Sequence, residues 1–153
     1  MINMKAERQF IGNSTYRSRL VDGHFHTELC PHGSGDRTAL MIEKAIELRI
    51  EKVCLTEHAP LPKAFEAEYG GDKVAYDTAS LKLNQVDSYL ELGRELQRAY
   101  GTHIDISLGF EVDYIPGFES DIQDFLDRYG PLTDDNILSV HFMDGVGGKY
   151  YCV

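Results

Sequence analysis

The sequence contains no tryptophan, three cysteines, five prolines, and only 15 basic residues against 25 acidic ones. Each shortage excludes something. Cys30, Cys54 and Cys152 are odd in number, far apart and form no Cys-x-x-Cys pair, so the chain encodes neither a disulfide framework nor a zinc ribbon. Free thiols belong in a reducing compartment, and a cytoplasmic location is expected. A formal charge of −10 presents no basic patch to a nucleic-acid backbone or an anionic membrane, so neither is an expected partner. No apolar run approaches the roughly 20 residues of a membrane-spanning helix, and residues 1–11 are too polar for a signal peptide. With no repeat, low-complexity tract or linker, what remains is a 153-residue chain, 42% hydrophobic and 26% charged, an ordinary composition for one globular domain.

Histidine is where the chain concentrates its chemistry. Three of the six histidines fall in Asp22-Gly23-His24-Phe25-His26-Thr27-Glu28-Leu29-Cys30-Pro31-His32-Gly33, directly after the apolar Leu20-Val21. On a strand there, His24 and His26 would share a face, because strand side chains repeat every two residues. His32 lies on the loop beyond. Further ligand types recur at the ends of later apolar runs, in Thr56-Glu57-His58, Gly109-Phe110-Glu111 and Ser139-Val140-His141.

Those runs predict strands over 19–24, 52–56, 104–111 and 136–142. Helical periodicity predicts helices over 37–49, capped by Asp36, over 78–100, ended by Gly101, and over 120–129. Residues 59–71, with two prolines and Gly70-Gly71, read as a long loop. Alternating strands and helices imply an α/β fold around a parallel sheet, which gathers its site at the carboxyl ends of the strands. His24, His26, His58, Glu111 and His141 all fall at such ends. Imidazoles with a carboxylate suit zinc, manganese or iron better than magnesium or calcium, and two or three divalent ions sharing Glu111 is the expected arrangement.

In this order the motifs resemble the PHP (polymerase and histidinol phosphatase) superfamily of metal-dependent phosphoesterases. Residues 22–33 and Thr56-Glu57-His58-Ala59-Pro60-Leu61-Pro62 are similar specifically to its histidinol-phosphate phosphatase branch. The resemblance implies a distorted (β/α)7 barrel, of which this chain supplies roughly the first four β/α units. Residues 1–18 would be an amino-terminal extension and 19–153 a PHP domain incomplete at its carboxyl end. The implied metal ligands are His24, His26, His32, His58, Glu111 and His141, with Glu111 and His141 at the catalytic centre. Many PHP proteins carry Asp, in a Ser-Asp-Gly motif, where this chain has His32.

The implied reaction is hydrolysis of a small phosphomonoester, L-histidinol phosphate, to L-histidinol and phosphate in histidine biosynthesis. With no Ser-His-Asp order and no catalytic-cysteine context, the nucleophile would be a metal-activated water. Two alternatives stand beside this: a PHP phosphoesterase acting on nucleotides or nucleic-acid ends, and a non-catalytic metal-binding half-barrel. The family completes its site with a further His and an Asp-x-His motif from later strands, and a barrel needs on the order of 250 residues. A chain of this length is therefore expected to be weakly active alone and to self-associate through an exposed barrel edge.

The neighbouring polar residues receive smaller roles. Glu57 is expected to orient a ligand imidazole, and Asp22 either does the same for His24 or caps a turn. Cys30 reads as a packed thiol, Arg37 as an exposed residue of a first helical turn, and Asp113, Asp144 and Lys149 as solvated loop charges. Tyr69 and Tyr76 either cover the mouth of the site or pack beneath it. His103 falls on the opposite rim and receives no role.

Overall fold

The computed structural model describes residues 19–145 and 149–152; the extension expected over 1–18 lies outside them. β1 (Val21–Phe25), β2 (Lys52–His58), β3 (Asp105–Asp113) and β4 (Ile137–Ser139) form one parallel sheet in sequential order. The connections carry α1 (Thr38–Glu47), α2 (Lys73–Thr78), α3 (Val86–Tyr100) and α4 (Glu119–Tyr129). The expected α/β strand-and-helix alternation is thus the observed one.

Period two explains the sheet. Ile106, Leu108, Phe110 and Val112 of β3 join Val53 and Leu55 of β2 in one buried cluster with Ile42 and Ala45 of α1 and Tyr89, Leu90 and Leu96 of α3. The alternate residues, Cys54, Thr56 and His58 on β2 and Gly109, Glu111 and Asp113 on β3, are buried as well. A sheet covered on both faces is the usual environment of parallel strands, and each large apolar side chain buried there contributes about 1.5–3 kcal/mol. Gly93 brings α3 down onto β3: a Cβ at that position would lie 2.3 Å from Leu108 Cδ1.

Beyond shifts of one or two residues at element ends, four features differ from the sequence reading. The helix predicted over 37–49 is not capped by Asp36. Its N-cap is Arg37, which makes no side-chain cap; instead the Thr38 N–H donates to Glu28 Oε2 at 2.5 Å and the Glu28 N–H donates back to Thr38 Oγ1 at 3.1 Å. That exchange ties the histidine-bearing loop to α1. The helix predicted over 78–100 begins only at Val86. Before it, Asp72 caps α2 by accepting from the Val74 and Ala75 N–H groups, and the Leu81 N–H, bonded to the His58 carbonyl at 3.2 Å, pins the intervening chain to the end of β2. The loop over 59–71 contains a 3-10 turn, Lys63–Ala67, that buries Phe65.

The strand predicted over 136–142 is two strands. Ser139 Oγ and the His141 N–H both donate to Asp113 Oδ1, at 3.1 and 3.3 Å, which draws the chain out of the parallel sheet. β5 (Phe142–Asp144) then pairs antiparallel with β6 (Tyr150–Cys152), a pairing the sequence did not suggest. This hairpin packs on a second cluster of Phe65, Ile115 and Phe142, joined by Tyr69, Tyr76 and Tyr150, so Tyr69 and Tyr76 pack into this cluster. Among the described residues no helix is long and apolar enough to cross a membrane.

Candidate metal centre

The site is built outward from β2 and β3. Their ladder runs without interruption from Lys52↔Asp105 to His58↔Glu111, which sets His58 and Glu111 side by side at the carboxyl ends of the strands. Both are buried. β1 delivers its histidines differently. Its register with β2 slips between Asp22 and Phe25, placing one extra residue in β1, and the strand ends at Phe25 rather than running through His26. A bulge of this kind re-aims side chains, and His24 Nε2 and His26 Nε2 converge to 3.2 Å.

Glu111 is the hub. Its Oε2 lies 3.4 Å from His24 Nε2, 3.5 Å from His26 Nε2 and 3.3 Å from His58 Nδ1, while Oε1 lies 3.4 Å from His141 Nε2. Two groups with the spacing of a metal site therefore share one carboxylate: His24, His26 and Glu111, and His58, Glu111 and His141. A third group, His26, Cys30 and Glu57, adjoins them. His32 stands at the margin, its ring 5.0 Å from that of His58 and 6.1 Å from that of His26.

The far nitrogen of most of these rings is held in place. His24 Nδ1 meets Thr56 Oγ1 at 2.9 Å, His141 Nδ1 meets Asp113 Oδ1 at 2.8 Å, and His32 Nδ1 meets the Thr78 carbonyl at 2.8 Å. His26 Nδ1 lies 3.4 Å from Glu57 Oε2, and Glu57 Oε1 accepts from Thr27 N–H and Oγ1 at 2.5 and 2.7 Å. Such partners fix ring orientation and leave the other nitrogen free to ligate.

The electrostatics divide the histidines. Burial, then the neighbouring His26, His32 and His141, push His58 down to about 4, so it is neutral at pH 7, the form that binds metal. The bond that the His26 ring donates to Glu57 raises His26 against the opposing effect of burial. Burial alone would raise Glu57, yet its bonds from His26 and Thr27 hold it below the ordinary glutamate value.

Two buried atoms, His58 Nδ1 and Glu111 Oε2, have no hydrogen-bond partner among the described residues although they face each other. Leaving such atoms unsatisfied costs about 1–3 kcal/mol each. A cation between them removes that cost, and an imidazole-carboxylate donor set fits a divalent transition ion. His and Glu clusters able to hold metal are thus present.

The profile of the PHP domain family matches residues 22–152. The chain belongs to the PHP domain family. The histidinol-phosphatase of Bacillus subtilis (strain 168) is 39% identical over 132 residues, covering 86% of this chain and 47% of that protein. Among solved structures, a candidate histidinol phosphatase, hisK, of Listeria monocytogenes is 43% identical with a TM-score of 0.82, over 85% of this chain and 47% of that one. Histidinol phosphate phosphatase of Lactococcus lactis, solved with zinc, L-histidinol and phosphate, is 25% identical with a TM-score of 0.63, over 85% of this chain and 42% of that one. The chain therefore spans about half the length of the relatives it matches, and its four-stranded sheet is part of a PHP barrel.

Within this PHP sheet, some residues behave otherwise than the sequence reading held. Asp113 is not a solvated loop charge: it is buried and holds His141. The signal was available, since Asp113 follows Glu111 by two positions on the same face of β3. The same two-residue spacing marks Thr56, which precedes His58 on β2 and meets the His24 ring. Asp22 takes the turn alternative, accepting from the His24 N–H at 3.4 Å, while Thr56 serves the His24 ring. The role of the Thr78 carbonyl had no signal at all, because main chain is the same in every residue. Arg37 and Asp144 are exposed, and Lys149 donates to the Ala67 carbonyl. Burial pushes the Cys30 thiol up, which favours a packed thiol over a thiolate. His103 lies in a groove at the opposite, amino-terminal ends of the strands.

Proposed function

We propose that this chain carries the metal-binding part of a PHP phosphomonoesterase that hydrolyses L-histidinol phosphate to L-histidinol and inorganic phosphate in histidine biosynthesis. The observation that carries the reading is Glu111, whose two oxygens face two histidine sets at once. Substrate class rests on the relatives: the Bacillus protein is named histidinol-phosphatase, and the Lactococcus one binds zinc with both reaction products.

On this reading His24, His26 and Glu111 would hold one divalent ion and His58, Glu111 and His141 a second, with His32 beside His58. Zinc is favoured by the Lactococcus structure, with manganese and iron accepted by the same donors. Bound ions of this kind polarise phosphoryl oxygens and make a water acidic enough to act as nucleophile near neutral pH. Glu111, facing both histidine sets, would offset part of the positive charge held there. Asp113 keeps the His141 Nδ1 occupied, so that Nε2 faces Glu111, and Glu57 does the same for His26. His58, kept neutral by burial, needs no deprotonation to ligate.

The same reading makes 19–153 part of a PHP domain, with 1–18 preceding it. The three free cysteines support a reducing, cytoplasmic setting. Self-association of two copies along the β4 edge is supported by the exposure of Leu138 and Val140, and sedimentation at rising concentration tests it. The net charge of −10 counts against nucleic-acid substrates.

The deciding experiment measures phosphate release from histidinol phosphate and from a panel of nucleotides after loading with zinc, manganese or iron. It is run on this chain and on this chain joined to the complementary part of the Bacillus relative. Histidinol phosphate should be preferred in the joined protein, with turnover abolished by E111Q. Equal turnover of nucleotides would overturn the substrate assignment.

A further inference from the structure

Tyr89, on α3, is the largest fully buried side chain among the described residues, and its hydroxyl reaches the main chain of both central strands. It accepts from the Glu57 N–H at 3.3 Å and donates to the Gly109 carbonyl at 2.5 Å. The register Thr56↔Gly109 and Glu57↔Phe110 sets that N–H and that carbonyl opposite each other across the parallel ladder. One hydroxyl therefore clasps both sides of a single rung, and the rung is the one immediately before His58 and Glu111.

Its surroundings hold the clasp from every side. Gly93, one helical turn beyond Tyr89, lets α3 approach β3 closely enough for the hydroxyl to reach the strands, since any Cβ there would meet Leu108. The ring of Tyr89 packs against that of Phe110 at 5.2 Å between centroids. At Gly109 the missing side chain admits the Asp135 carbonyl, which would lie 1.4 Å from a Cβ, and the Phe110 N–H donates to Asn136 Oδ1 at 2.8 Å. The Gly109 peptide is thus gripped by Tyr89 and by the loop leading into β4. Burial raises the Tyr89 hydroxyl far above its ordinary range, so it is a permanent donor to Gly109.

We propose that Tyr89 is a positioning residue of the metal centre: its hydroxyl sets the spacing of β2 and β3 at their carboxyl ends, and with it the approach of His58 to Glu111 and the aim of Glu57 at His26. The inference rests on the metal reading above. It acts without touching any ligand side chain. The neighbouring contacts on His24, His26 and His141 orient single rings, whereas this one fixes the two strands that carry the buried ligands.

The test uses the whole chain loaded with cobalt(II), whose visible absorption reports ligand geometry. Tyr89→Phe keeps the ring and deletes the clasp; it should weaken cobalt binding by about tenfold or more in competition with a chelator and shift the absorption bands. Gly93→Ala, which lifts α3 while keeping the hydroxyl, should move both readouts in the same direction by less. Leu96→Val, a core change two helical turns farther along the same face of the helix, serves as control: it should lower thermal stability and leave cobalt affinity and spectrum unchanged. If Tyr89→Phe and Gly93→Ala lose stability but bind cobalt with wild-type affinity and spectrum, Tyr89 is a structural tyrosine and the proposal is overturned. A wild-type chain that takes up no cobalt would instead overturn the metal reading on which it rests.

Discussion

His58 and Glu111 reach the centre by a different route from His24, His26, His32 and His141. The first two end a ladder of unbroken pairing between two central strands, and their side chains are 8% and 6% exposed. The others stand on a bulged edge strand, on loops, or where the chain leaves the sheet, and the side chains of His24, His141 and His26 are 47%, 35% and 26% exposed. The inner pair is positioned by the packing of the fold itself. Each outer histidine depends on one polar contact, to Thr56, Glu57, Thr78 or Asp113. Preorganisation is therefore unevenly spread, and variants should sort accordingly.

Breaking the inner half should have the largest effect. Glu111→Gln keeps the volume and deletes the charge shared by both histidine sets, so metal affinity should fall by more than the roughly 100-fold that loss of a supporting contact produces, with the circular-dichroism spectrum unchanged. The double replacement His24→Ala with His26→Ala removes only one set and should leave about half of the bound metal, as judged by elemental analysis. Equal losses in the two variants would erase the distinction between the inner pair and the outer histidines.

Supports of the outer half come next. Asp113→Asn retains the shape but offers His141 a neutral partner, and it should weaken metal binding by about 10–100-fold. Thr56→Val replaces a hydroxyl that meets both the His24 ring and the Phe25 N–H with a methyl of equal size; about tenfold is expected. Isothermal titration with zinc measures both. If either variant matched the loss in Glu111→Gln, the outer histidines would be as rigidly specified as His58 and Glu111.

The same division governs what was legible in the sequence. β2 and β3 are apolar runs with ligand types at their ends, and periodicity alone locates them, with His58 and Glu111. The convergence of His24 with His26 was also visible, but as a regular strand face rather than the bulge that produces it, because an extra residue in a ladder leaves no compositional mark. Asp36 lost its capping role to Glu28, a contact made across 10 residues. The β5–β6 pairing was missed because His141 interrupts an apolar stretch that reads as continuous until Asp113 is seen to pull on it. What escaped was set by contacts between distant residues; what was read was set by neighbours two or four positions apart.

The smallest expected effect sharpens the comparison by its sign. His58, in the inner half, is lowered to about 4 from an ordinary value near 6.5. Between those values the unfolded chain binds a proton that the folded chain refuses, so stability rises with pH across this window and is lost as pH falls from 6.5 toward 4. His26, in the outer half, is raised; its contribution is fully present below 6.5 and is lost as pH climbs through its folded value. Glu57 is lowered, so its contribution is present above the ordinary glutamate value and lost only as pH falls below it. The metal-stripped chain should therefore be most stable near pH 6.5, with the two histidines responsible for opposite flanks. On the acid side, discounting for partial solvation of the site, the loss from pH 6.5 to 5 is about 1 kcal/mol, a fall of about 3 °C in unfolding midpoint. His58→Gln should flatten that acid flank and leave the alkaline one, while Glu57→Gln, which removes the charge that raises His26, should flatten the alkaline one. Thermal melts of the three proteins from pH 5 to 8 in the presence of chelator decide it: an acid flank that persists in His58→Gln would show that the inner histidine is not held neutral by its burial.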